Sequence, residues 1–361
     1  MKIRHLATYL LLLLAFDHAC AEDVKKRMEI NVRPQNQSLV GCLVPAFRAA
    51  GRNWSRGFLY AYGGQAFVFN MKEGGGDIWH DEDYVYGVYS IEMLRHLGKG
   101  LEIYNVALDG ENPVSVEEMN KVKAQAWNAV RDALDNGLPA VVWQPISAEM
   151  AAEHPNAMLM RLPAMWSLIV GYDELANTYV VDSPASRGRF TIGRDAFGHV
   201  WPRSKKFCVI IIKPETGSFD APIAHRTVLQ RAIEASKGMR PGTTRNATTH
   251  GLAAWDMWLD NFRKGTVATR WINDDANFVK ASRGWAAVYL KEVAHHFPEK
   301  ARIPLNAATE HYKGVSDAMK ELLALEPYDP TDLPEGTTII SRALEHERAA
   351  LADLQRALDS R

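Results

Sequence analysis

Three residues in this chain have the types and order that covalent chemistry asks for: Cys42, His154 and Asp182. Cys42 heads an apolar segment in which Leu43, Ala46, Phe47 and Ala50 recur at helical spacing, which predicts a helix over 42–50 with Ser38 as an upstream cap. A helix N-terminus favours the thiolate, so a cysteine placed there is a candidate nucleophile. Cysteine-nucleophile enzymes take the partners of such a thiol from strands far downstream. Asp182 closes a late strand pair and has the order expected of a carboxylate that orients a base. His154 lies on the segment that enters that pair, which makes it the best placed of His80, His154 and His199 to be the base. The competing reading makes Cys42 a small buried residue at a helix start and each histidine a loop residue. Cys42 and Cys208 could also form a disulfide, which would leave no nucleophile; unpaired, Cys208 in the apolar run 207–212 reads as an inert buried thiol.

The element that must position Asp182 is a hairpin. Residues 166–170 and 178–181 are two β-rich runs, and Gly171-Tyr172-Asp173 and Asn177 supply the turn between them. Both runs are almost wholly apolar, so the hairpin is expected in the middle of a sheet. Further strands are predicted over 65–70, 101–106, 138–144, 189–192 and 206–213, and helices over 84–97 and 115–136, the latter capped by Ser115 and closed by Gly137. Composition shifts near Pro214, and the remainder carries helical patterns over 226–237, 251–262, 274–296, 304–325 and 338–358, punctuated by prolines. The expected fold class is α+β, with a first domain over 22–216 and an up-and-down helical bundle over 217–361.

With 361 residues, 47% apolar and 24% charged, the chain has an ordinary globular composition. A net charge of -1 excludes a general polyanion binder, so no nucleic-acid partner is expected. Lys2 and Arg4, the apolar run Leu6–Phe16 and Ala19-Cys20-Ala21 describe a leader cleaved after Ala21. That places the protein outside the cytoplasm, secreted or periplasmic, with no membrane span in the mature chain. Lipid attachment at Cys20 is disfavoured by Asp17 at a position where leucine is expected. His295-His296 reads as a helix-end pair rather than a metal site, since adjacent residues point to different faces. The acidic loop 77–83 lacks the alternation of a calcium loop. No metal or cofactor is expected, and Trp255, Trp258, Trp271 and Trp285 read mostly as helical core.

Residues 41–70, with a cysteine-led helix followed by Gly63-Gly64-Gln65-Ala66-Phe67, resemble the N-terminal domain of the butirosin-biosynthesis acyltransferase family. Asn136 to Trp143 resembles its helix-to-strand segment, and Leu168 to Asp173 its Gly-Tyr-Asp hairpin. The resemblance implies a papain-like fold of the kind shared with C39-type peptidases, with Cys42 as nucleophile and Asp182 as the acid that orients the base. The family's base would stand six residues before Gly171, where this chain has Met165. Two functions follow as expectations. One is an exported cysteine hydrolase or acyl-transfer enzyme acting on a small molecule or peptide. The other is a catalytically degenerate papain-like binding protein of the cell envelope.

Overall fold

The structure, a computed structural model, describes residues 25–27, 38–72, 100–107, 115–147, 166–183, 189–196, 206–214, 220–238, 248–267, 269–325 and 332–360. His154, Met165, His80, His199, the leader, the acidic loop and the candidate helix over 84–97 lie outside them. The chain divides into two compact units, Met1–Arg52 with Glu102–Pro214, and Asn53–Leu101 with Glu215–Arg361. The second boundary falls at the composition shift after Pro214. The described residues 53–72, expected in the first domain, group instead with the C-terminal helices.

The first unit is a sheet with two long helices. Its strands are β1 (Lys25–Arg27), β3 (Leu101–Ala107), β4 (Ala140–Trp143), β5 (Trp166–Asp173), β6 (Thr178–Asp182), β7 (Arg189–Gly193) and β8 (Lys206–Ile212). They are ordered β3-β8-β4-β5-β6-β7, and β1 adds to β5 along Gly171–Asp173, beyond the stretch that pairs with β4. The expected hairpin is β5–β6, and it is central. Asp173 Oδ1 accepts from the Ala176 N–H at 3.0 Å, and Asn177 takes φ +50°, a left-handed conformation that asparagine tolerates better than most residues. Helix α1 (Ser38–Ala49) packs on β4 and β5, and α3 (Val116–Asp135) on β4, β5 and β8. Ser115 caps α3 through the Glu118 N–H at 3.1 Å, and Gly137 with φ +77° ends it, as the sequence predicts. The buried stripe of α3 brings Trp127 to 4.8 Å from the Tyr179 ring and 6.2 Å from that of Tyr172. Tyr179 and Val181 are buried while their neighbours in β6 are half-exposed. Side chains alternate along a strand, so Tyr179 and Val181 face α3 and Asp182 faces the other way.

The second unit holds α2 (Arg56–Tyr62), a two-stranded sheet of β2 (Asn70–Lys72) and β9 (Thr248–His250), and helices α4 (Ala221–Ser236), α5 (Leu252–Lys264), α6 (Thr269–Val293), α7 (Glu299–Ala324) and α8 (Leu333–Asp359). The strand expected over 65–70 is largely turn; only its end enters β2. A long-range ion pair explains why this stretch belongs here. Arg283 of α6, fully buried, donates from Nη1 to the carbonyls of Ala66 (2.9 Å) and Val68 (3.1 Å). Its Nε and Nη2 grip the two oxygens of Glu347 in α8 at 2.8 and 2.7 Å. Trp255, Trp258 and Phe262 of α5 pack with Phe69, Ile272, Val315, Met319 and Ile340 into the core of this unit. Pro304 lies inside α7 rather than at its start. It cannot bond the carbonyl of Lys300, but that residue is exposed, so water replaces the lost partner.

Gly251 joins β9 to α5 with φ +63° and ψ -138°, a region open in practice only to glycine. A Cβ there would stand 2.2 Å from the Ser236 carbonyl oxygen, which is backbone and cannot step aside. Gly251→Ala therefore loses about 2–5 kcal/mol from the backbone conformation and the forced displacement together. The check is the urea midpoint, and an unchanged midpoint contradicts this geometry.

His225 of α4 is 3% exposed, with Nδ1 3.1 Å from the Tyr289 hydroxyl and its ring 4.9 Å from that of His296. Burial first, then the nearby His296 and His295, push its pKa from 6.5 down to about 4. Between those values the unfolded chain binds a proton that the native chain refuses, so stability rises with pH across that window. A shift of this size accounts for about 3 kcal/mol, present at neutral pH and lost as pH falls to about 4. His225→Gln keeps a polar partner for Tyr289 and removes the titration. Urea unfolding across the window should show a shallower pH slope in the variant, and identical slopes refute the assignment.

Candidate functional site

Cys42 lies on the inner stripe of α1 with Leu39, Leu43, Ala46 and Phe47, all buried, and is itself 0% exposed. The helix begins at Ser38 rather than at Cys42. The cysteine is thus its fifth residue, past the first turn, where the field of a helix terminus fades. The expected depression of the thiol pKa is therefore reversed. Burial, and secondarily the negative charge of Asp182, raise Cys42 well above the ordinary thiol range. Both cysteines are buried and neither is in a disulfide, so no bridge joins Cys42 to Cys208.

The influence of Asp182 on the thiol shows that the two groups share one neighbourhood. It also fits the strand alternation: Asp182 points away from α3, toward the face on which α1 carries Cys42. The early helix and the late strand pair thus bring together two of the three residues singled out by order in the sequence. The third, His154, is outside the described residues. The described histidines, 225, 250, 295, 296, 311 and 346, all belong to the second unit.

The surroundings of Asp182 say what the pair can do. Across β5–β6 it stands opposite Leu168, and across β6–β7 opposite Arg189. The Arg189 Nε donates to Asp182 Oδ2 at 3.1 Å, with both side chains about 15% exposed. Trp166, two residues before Leu168 along β5, shares the same face by strand alternation, and both are buried apolar groups. The described strand positions beside Asp182 therefore hold nothing that takes a proton from the thiol. A carboxylate stabilises an imidazolium, but acting directly on a thiol it opposes ionisation. Arg189 escaped the sequence reading, although the signal was present: opposite charges end one strand and begin the next, which antiparallel pairing sets face to face.

Among the described residues no group of three or more histidine, cysteine, aspartate or glutamate side chains is placed to hold a metal ion, and no helix is long and apolar enough to cross a membrane. Neither a protein-family model nor a curated protein matches the chain. Fold and site together define a mixed α+β protein with C-terminal helices, in which a buried thiol lies within the electrostatic reach of a guanidinium-paired carboxylate.

Proposed function

We propose that this protein is a catalytically degenerate papain-like protein, exported by the leader at 1–21, that binds a small molecule or peptide in the cell envelope. The observation that carries this reading is the state of Cys42. Its sulfur has no solvent access, and the charge of Asp182 opposes the thiolate. General base assistance is typically worth about 10²–10⁴ in rate, and the described strand positions around Asp182 offer none. The butirosin-type resemblance supports the scaffold, and Met165 at the family's base position agrees with loss of the chemistry.

The hydrolase reading keeps one observation in its favour, the shared neighbourhood of Cys42 and Asp182. The two readings part on thiol reactivity. A degenerate scaffold leaves Cys42 unmodified by iodoacetamide in the native protein. Selective modification of Cys42 at neutral pH, ahead of Cys208, restores the enzyme.

A further inference from the structure

Helix α4 carries Arg226, Thr227, Gln230, Arg231 and Glu234 along one face, and together with Leu358 at the end of α8 they line a cavity of about 350 Å³. That is the size of a small-ligand pocket. Its polar groups are unevenly satisfied. Glu234 Oε1 accepts from Gln230 Nε2 at 3.2 Å. Arg226 Nη2 donates to the Leu358 carbonyl at 2.8 Å, in the last turn of α8, where a helix has no internal donors left. That bond fixes the guanidinium at the wall of the groove and leaves its other N–H groups free of described partners. Arg231 contributes a second guanidinium to the lining: its Nη1 is shut off from solvent as the side chain stands and has no described acceptor within hydrogen-bonding reach, so an anion in the groove engages it by a turn of the side chain. A buried guanidinium donor without an acceptor is costly, and the group that best relieves it is an oxyanion, whose two oxygens match the guanidinium fork. Two arginines five residues apart on one helix, one tethered and one with an unsatisfied Nη1, outweigh the single carboxylate beside them.

We infer that this groove is a binding site for a small oxyanion, the carboxylate or phosphoryl group of a ligand whose apolar part rests on Leu358. The site is separate from the Cys42–Asp182 pair and does not depend on whether that pair is catalytic. It is open, so binding is reversible and weakens with added salt.

The test is titration of the full chain with inorganic phosphate and, in parallel, with acetate, at constant ionic strength and against chloride. Backbone amide shifts are the readout, with the Gln230, Arg231 and Leu358 resonances followed. Saturable shifts at these residues are expected. Arg231→Gln should weaken binding by about tenfold or more, and Arg226→Gln by a similar factor, each removing a charge-assisted pair. A response to phosphate alone marks a phosphoryl ligand, and an equal response to acetate marks a carboxylate. Arg231→Lys keeps the charge but loses the fork, and should recover only part of the affinity. Should the glutamine variants not fold, the shift map of the unmodified protein still decides. Saturation localised to α4 and the end of α8 supports the site. No saturable response to either anion, or one mapped elsewhere, overturns it, as does undiminished binding in a folded Arg226→Gln/Arg231→Gln variant.

Discussion

In the native protein at neutral pH, iodoacetamide should leave both Cys42 and Cys208 unmodified over hours, and urea above the unfolding midpoint should expose both at once. Two factors multiply for Cys42. A free thiol of pKa ~8.5 is only a few per cent thiolate at neutral pH, and burial beside Asp182 reduces that fraction further. The sulfur also has no solvent access, so alkylation waits for an opening of the α1–sheet contact. If that opening costs about 4 kcal/mol, the accessible fraction falls by roughly 10³ before ionisation is counted. The native rate should thus lie at least three orders of magnitude below that of the unfolded chain, which is a large margin for mass spectrometry of the two cysteine peptides. Only one result returns the protein to the active cysteine enzymes: rapid, selective labelling of Cys42 in the folded state. Equal slow labelling of both thiols agrees with two inert core residues.

The second large effect concerns Arg283 and Glu347. Arg283→Met should destabilise the second unit by about 3–5 kcal/mol, because it leaves Glu347, 3% exposed, as a buried charge without its partner. The Ala66 and Val68 carbonyls lose their donor in the same step. The double variant Arg283→Met/Glu347→Leu removes both charges and should recover a large part of that loss, since a buried pair replaced by apolar groups is often nearly neutral. Recovery stays incomplete if the two carbonyls remain without donors. Urea unfolding followed by the fluorescence of Trp255 and Trp258 reports the transition, both rings being in the core of the same unit. A single variant within about 0.5 kcal/mol of the unmodified protein, as at ordinary surface sites, shows that the pair does not anchor the 63–68 turn.

The regular elements were legible because their signals are local. Ser115 and Gly137 bracket α3 by capping chemistry, and Asp173 with Asn177 makes the β5–β6 turn from residues suited to it. The amphipathic repeats after Pro214 gave the C-terminal helices, with ends displaced by a few residues. Where local signals misled, a tertiary contact had won. Gln65–Phe69 has the composition of a strand, but its carbonyls at Ala66 and Val68 are claimed by Arg283, which stands more than two hundred residues away in sequence. Pro304 looks like a helix start, yet α7 begins five residues before it and runs through it, because the bond it breaks is on the solvent side.

For the candidate site, the order of residues in the sequence picked out Cys42 and Asp182, and the electrostatic reach of one to the other depends on nothing more than a helix laid across a hairpin. Their chemical state was not legible. Whether a thiol is a nucleophile depends on its depth and on the sign of the nearest charge, and both are set by packing among residues distant in the chain. The sequence determined which groups exist and which elements carry them. The tertiary structure alone decided that α1 starts a full turn earlier, that the thiol is sealed against the sheet, and that Asp182 turns its carboxylate to Arg189, because burial and Coulomb interactions follow distances in space rather than positions along the chain.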